Sequence, residues 1–202
     1  MRIGVLALQG DFALHRRALA RVHAAAGRRG NEAVESVEVR KPAELDGLDG
    51  LVIPGGESTT LLKLMDHWGF WPALQRFHGD GRPIFGTCAG AILVARDVEN
   101  PSQRSLGLID IGVERNAYGR QRESFVAEGE AELDEPTRLE MVFIRAPRIR
   151  RVGAGVHVLA RHKDNPVMVR EGDVLVATFH PELTDDPSVH AYFCGMVAGR
   201  RA

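Results

Sequence analysis

Cysteine is scarce in this chain: among 202 residues there are two, Cys88 and Cys194. A secreted scaffold held by disulfides carries more, at regular spacing, so that class is excluded. No Cys/His spacing of the metal-binding kind occurs, and none is expected here. Charge of one sign is also lacking. The formal net charge of -1 gives no electrostatic case for nucleic acid or an anionic membrane surface. No apolar run approaches the length of a membrane span. The chain opens directly on Arg2-Ile3-Gly4-Val5-Leu6, without the charged start and cleavage site of a leader peptide. Repeats, low-complexity tracts and long linkers are absent. A reducing cytoplasm is the simplest setting, and there Cys88 stays a free thiol.

What is present is ordinary globular composition, with 44% hydrophobic and 26% charged residues. The length suits one domain over 1–202 with a substantial core. Ile3 to Leu8, Val34 to Val39, Gly50 to Pro54 and Arg82 to Gly86 read as short strands. Helical spacing follows the first of them, from Phe12 to Ala26, with Leu14, Ala18, Leu19 and Val22 on one side. Further helices are expected from Thr59 and over Ala89 to Ala95. This alternation predicts an α/β fold with a parallel sheet and helices on both faces.

The second half has a different pattern. Leu106 to Val113, Ser124 to Leu133, Met141 to Arg145, Val156 to Arg161, Val167 to Arg170 and Val174 to Phe179 read as strands with few helices between them. An antiparallel extension is expected there, before a closing helix over Pro187 to Gly199. The segment Gly27 to Asn31 is polar and Gly-rich, which predicts a surface loop.

Gly86-Thr87-Cys88-Ala89-Gly90 places a cysteine between a predicted strand and a predicted helix. The logic is that of the hydrolase nucleophile elbow: a sharp turn lifts the nucleophile, and small neighbours allow close backbone approach. A helix N-terminus favours an anion there. The Ala89 N–H can face a developing oxyanion. Taken alone, a buried cysteine in a glycine-rich turn explains the motif about as well. Cys194 lies in an apolar helical stretch and reads as inert core.

His180-Pro181-Glu182 directly follows the strand Val174 to Phe179. On extended chain, residues i and i+2 share a side, so Glu182 can fix the tautomer of His180 and leave its other nitrogen for Cys88. Both motifs fall at carboxyl ends of predicted strands, where open parallel sheets bind ligands. The other seven histidines lack this acid partner; His15, His23, His67 and His78 read as helix-surface residues. Pro54-Gly55-Gly56-Glu57-Ser58 can turn a second amide, from Gly55 or Gly56, toward an oxyanion. The pattern of a P-loop is missing. Arg115 and Arg145 are candidates to grip the α-carboxylate of a free amino acid, whereas Arg148, Arg150 and Arg151 read as solvated. A peptidase or a small stress hydrolase of similar fold has no need of that arginine pair, and a non-catalytic scaffold on this fold is disfavoured because the cysteine, histidine and glutamate are all present.

Leu8-Gln9-Gly10, Pro54 to Thr60, Phe85 to Gly90, Val113-Glu114-Arg115-Asn116, Gly119-Arg120-Gln121, Phe143 to Pro147 and Phe179 to Thr184 together resemble the glutaminase-subunit family of pyridoxal 5'-phosphate synthase. The resemblance runs nearly end to end. It implies a three-layer flavodoxin-like α/β fold of the glutamine amidotransferase type and hydrolysis of L-glutamine to L-glutamate and ammonia without a cofactor. It implies Cys88, His180 and Glu182 as catalytic triad, and Gly56, Glu57, Ser58, Arg115, Ile144 and Arg145 as glutamine-binding residues. Family members pass ammonia to a (β/α)8-barrel synthase subunit in a large hetero-oligomer. The 24–35 stretch looks longer than the family usually has.

Overall fold

The computed structural model describes residues 1–27, 33–115 and 124–201. The first half alternates as expected: β1 (Arg2–Leu6), α1 (Phe12–Gly27), β2 (Glu35–Val39), β3 (Gly50–Ile53), α2 (Ser58–Trp68), α3 (Phe70–Gly79), β4 (Ile84–Thr87) and α4 (Ala89–Val94). The remainder is strand-rich: β5 (Ala95–Glu99), β6 (Ile109–Glu114), β7 (Ser124–Glu132), β8 (Pro136–Ile144), β9 (Arg148–Val152), β10 (His157–His162), β11 (Asn165–Glu171) and β12 (Val174–Ala177), closed by α5 (Ser188–Arg201).

Among the described residues, nine strands form the main sheet in the order β2-β1-β3-β4-β12-β11-β10-β7-β8. The strands from β2 to β12 are mutually parallel, and those from β11 outward are joined antiparallel. The central strands are almost wholly apolar because both faces are covered. Side chains alternate between two cores with the period of the pleat. Leu6, Ile53, Ile84, Val174 and Val176 pack toward α2, α3, α4 and the small sheet. Val5, Val52, Phe85, Leu175 and Ala177 pack toward α1 and α5, where Phe193 and Val197 are fully buried. The result is three layers, flavodoxin-like, with an antiparallel extension.

Three elements go beyond the sequence reading. Helix α3 follows α2 after Gly69 alone, which takes a left-handed conformation at φ 71°. Pro72 looks like a breaker there, but it sits in the first helical turn, where a missing N–H costs little. Strands β5, β6 and β9 make a separate three-stranded sheet, of which only β6 is expected from sequence. The basic run Arg148 to Arg151 forms strand β9, with Arg150 and Arg151 still exposed to solvent. Ile149 is buried, Arg151 bridges Asp97 at 2.7 Å and Asp110 at 2.6 Å, and Arg150 pairs with Glu114. Of the loop expected over Gly27 to Asn31, Gly27 ends helix α1 and the rest lies outside the described residues, as do Asn116, Gly119, Arg120 and Gln121. Among the described residues no helix is long and apolar enough to cross a membrane.

Candidate active site

The elbow is built from β4, Cys88 and α4. The N–H of Cys88 donates to the Ala177 carbonyl at 2.9 Å, which ties the turn to the neighbouring strand β12. Cys88 takes φ 47° and ψ -102°, a strained conformation for a residue with a side chain; such strain gathers at functional sites. The turn needs glycine at position 90: a Cβ there would stand 2.1 Å from the Ile53 carbonyl oxygen of β3. Cys88 as a whole ends up 6% exposed, with its sulfur 3.8 Å from the Ile144 carbonyl oxygen.

The candidate base, His180, comes from the end of β12. The backbone N–H of His180 donates to the Val142 carbonyl of β8 at 2.8 Å, so the antiparallel extension anchors it. Nδ1 of His180 lies 2.7 Å from Oε1 of Glu182, and both side chains are buried. Nε2 makes no conventional hydrogen bond among the described residues, but the ring is close enough to interact with the Cys88 thiol. Burial pulls the ring toward its neutral form; the Cys88 sulfur and the Glu182 carboxylate more than reverse this and push its pKa up to about 10.

The loop after β3 closes the other side. A Cβ at Gly55 would meet His180 Cε1 at 2.5 Å and Cys88 Cβ at 3.2 Å, so the loop backbone packs against both residues. The Gly55 carbonyl rests on Gly10, where a Cβ would stand 1.8 Å from its oxygen. Peptide planarity then turns the Gly56 N–H away from Gly10. Gly56 has φ 146°, a region open essentially to glycine. The Glu57 N–H is held by Gln9 Oε1 at 3.1 Å. The Glu57 carboxylate caps α2, accepting from Thr59 N at 2.9 Å and from Thr60 N and Oγ1 at 2.7 Å each. Burial raises its pKa, but these bonds outweigh it and hold the group at about 2.

A cleft of about 250 Å³ lies over Cys88. Gly56, Glu57, Ser58, Ala89, Arg115 and Arg145 border it, with His180 and Ile144. Every residue named from sequence for glutamine binding therefore lines the same cavity. Gly55 packs beside it and Glu182 stands behind His180. Arg115 is steadied by Thr59 Oγ1 at 3.0 Å, and Arg145 takes φ 46° just past β8. Cys194 is remote in the core on α5, where burial pushes its thiol up to about 12.

The sequence reading misplaces His15 and passes over Asp11, Thr87 and His190. His15 is wholly buried, not on the helix surface. Its Nε2 lies 3.1 Å from Thr87 Oγ1 and 3.3 Å from Glu182 Oε2, and its Nδ1 lies 2.9 Å from His190 Nε2. Burial and the neighbouring His190 hold its pKa well below the ordinary value. Burial likewise brings His190 down to about 3. The signal was available: His15 precedes Ala18 by three and Leu19 by four, on the apolar face of α1. Asp11 borders the cleft, and Asp11, His180 and Glu182 each offer one potential metal-ligand atom, all within 4.8 Å. His180 and Glu182 are already bonded to each other, which makes the trio the base end of the site with an acid beside it.

A thiol, an imidazole and a carboxylate at the carboxyl ends of neighbouring strands of a flavodoxin-like sheet define the class: the architecture is that of the glutamine amidotransferases. The chain belongs to the SNO glutamine amidotransferase family, which matches residues 5–199. A pyridoxal 5'-phosphate synthase subunit PdxT of Koribacter versatilis (strain Ellin345) is 54% identical over 197 residues, covering 98% of this chain and 96% of that one. The subunit of the same name from Brevibacillus brevis (strain 47 / JCM 6285 / NBRC 100599) is 51% identical over 205 residues, covering all of both. A crystal structure of a glutamine amidotransferase superposes with TM-score 0.83 at 47% identity, over 97% of this chain and 98% of that one.

Proposed function

We propose that this chain is a single glutaminase unit that hydrolyses L-glutamine at Cys88 and delivers the ammonia to a pyridoxal 5'-phosphate synthase partner. The observation that carries the reading is the convergence of Cys88, His180, Arg115 and Arg145 on one cleft, in a chain about half identical to synthase subunits over its full length.

The α-carboxylate of glutamine meets Arg115 and Arg145, which directs the side-chain amide down to Cys88. His180 takes the proton of the Cys88 thiol, and the sulfur attacks the amide carbon. The oxyanion is held by the Ala89 N–H and an amide of the Gly55-Gly56 loop. His180 returns the proton to the amide nitrogen as the C–N bond breaks, so ammonia leaves and a thioester remains. Water, deprotonated by His180, adds to the thioester. Glutamate departs and the thiol is restored. Glu182 keeps the imidazole oriented and favours its charged form throughout.

Ammonia free in water becomes ammonium and is lost as a nucleophile, so a second protein must receive it. The partner in this reading is a (β/α)8-barrel synthase subunit in a large hetero-oligomer in the cytoplasm. The test is ammonia release from glutamine, with and without that subunit, for the wild type and Cys88→Ala. Partner-stimulated release that vanishes in Cys88→Ala is expected. Release that survives in Cys88→Ala overturns the assignment of the nucleophile. A wild type that binds the synthase yet releases nothing overturns the glutaminase reading.

A further inference from the structure

Behind the triad lies a second, wholly buried imidazole pair that the mechanism above does not use. Glu182 offers two carboxylate oxygens. Oε1 is engaged by His180 at 2.7 Å, and Oε2 has no hydrogen bond of ordinary geometry among the described residues. The ring of His15 stands against it, with Nε2 3.3 Å from Oε2 and 3.1 Å from Thr87 Oγ1. His15 in turn meets His190, Nδ1 to Nε2, at 2.9 Å. Three parts of the chain far apart in sequence, α1, the end of β4 and α5, thus supply polar groups to the back of one carboxylate.

The heavy atoms allow two proton arrangements, and the surroundings select between them. If His15 carried its proton on Nδ1, it would donate to His190. His190 would then carry its own proton on Nδ1, a buried atom without a partner among the described residues. The bare Nε2 of His15 would also turn its lone pair on the Glu182 carboxylate. In the opposite arrangement His190 donates from Nε2 to His15 Nδ1, and His15 presents Nε2–H to Thr87 Oγ1 and Glu182 Oε2. That arrangement leaves only an unfilled acceptor, on His190 Nδ1, and sets a donor dipole beside the carboxylate's open oxygen. It is the better satisfied of the two.

We propose that His15 is a positioning residue for the triad: oriented by His190, its Nε2–H holds the second oxygen of Glu182 and so fixes the carboxylate that orients His180. This rests on the glutaminase reading above. A carboxylate held at both oxygens keeps its plane, and with it the direction of the His180 ring toward Cys88. Loss of the inner contact should slow the chemical step and leave glutamine binding alone, because no part of the pair borders the cleft.

The first test needs no substitution. Long-range proton–nitrogen correlation on nitrogen-labelled wild type reports which ring nitrogen carries the proton. His15 and His190 are both expected to be protonated on Nε2. Protonation of His15 on Nδ1 overturns the proposal.

The second test is steady-state glutamine hydrolysis by the full chain with its synthase partner. His15→Leu should lower kcat at least about tenfold with KM within about twofold, following the usual size of outer-contact effects. His15→Gln, whose Nε2 lies the same number of bonds from Cα, should recover most of the loss. A His15→Leu kcat within twofold of wild type overturns the proposal. So does a His15→Gln as slow as His15→Leu, since packing alone would then explain the residue. Should His15→Leu not fold, His190→Phe replaces it, with an expected fall of about threefold or more; an unchanged kcat there counts against the proposal. Failure of the wild type to release ammonia would strike the glutaminase reading instead, and the nitrogen spectrum would still decide the tautomer.

Discussion

His180 is held from two directions: its ring by Glu182 at 2.7 Å, its backbone by the Val142 carbonyl at 2.8 Å. The first contact is local, two residues along the chain. The second crosses from the end of β12 to β8, so the antiparallel extension helps to hold His180 in place. Glu182→Gln keeps the shape but presents an amide, which can favour the wrong tautomer. We expect kcat for glutamine to fall about 10²–10⁴-fold with little change in KM, the range seen when a triad acid is made neutral. Val142→Ile should leave kcat near wild type, because the contact runs through backbone. Steady-state ammonia release measures both.

His180 also makes stability depend on pH, because the Cys88 sulfur and the Glu182 carboxylate favour its charged ring. The folded pKa of His180, about 10, lies above its ordinary 6.5. A raised pKa means that the stabilisation is complete below pH 6.5 and is lost as pH rises through about 10. Urea midpoints of the wild type should therefore fall across that window. In His180→Ala the fall should be shallower. An equal slope in both proteins would place the pH dependence elsewhere.

Glu57 carries the opposite sign. Its folded pKa of about 2 lies below the ordinary 4.5, so its contribution is present above pH 4.5 and is lost as pH falls toward 2. Glu57→Ala should cost roughly 0.5–1 kcal/mol at neutral pH, the low end for a lost helix cap because the carboxylate is solvent-exposed and screened. The variant should also be less sensitive to acid over that window. Chemical denaturation at several pH values tests the cap, and KM for glutamine in the same variant tests any contact with substrate.

Gly90→Ala introduces a Cβ 2.1 Å from a backbone oxygen of β3, which cannot swing aside as a side chain can. We expect destabilisation of about 1–3 kcal/mol or more by overpacking, together with loss of turnover, since Cys88 is two residues away. Gly79→Ala at the end of α3 is the control. No atom lies within 4 Å of the new methyl, and the change should be neutral or stabilising by up to about 1 kcal/mol. Denaturant midpoints of the two variants separate local crowding from a general intolerance of alanine.

The parts of the site that were legible in sequence are those whose geometry is local. The elbow at Cys88 follows from two glycines at a strand–helix junction, and the His180–Glu182 contact from residues two apart on extended chain. The two-core sheet was visible as apolar runs over β3, β4 and β12 (Gly50–Ile53, Ile84–Thr87, Val174–Ala177). Helix α3 was hidden because Gly69 and Pro72 carry breaker signals that their positions neutralise. Strand β9 was hidden because its arginines are neutralised by Asp97, Asp110 and Glu114 from other strands, partners that no local pattern reveals.

The sequence by itself determined the fold class and marked Cys88 and His180 as the candidate nucleophile and base, because each rests on periodicity or on neighbours within a few residues. Tertiary structure alone decided that Arg115, Ile144 and Arg145 share a cleft with Cys88, and that His15 stands behind Glu182, 167 positions away by residue number. Those contacts join segments whose separation along the chain carries no distance information until β12 is laid beside β4 and α1 is packed against the turn that follows β12.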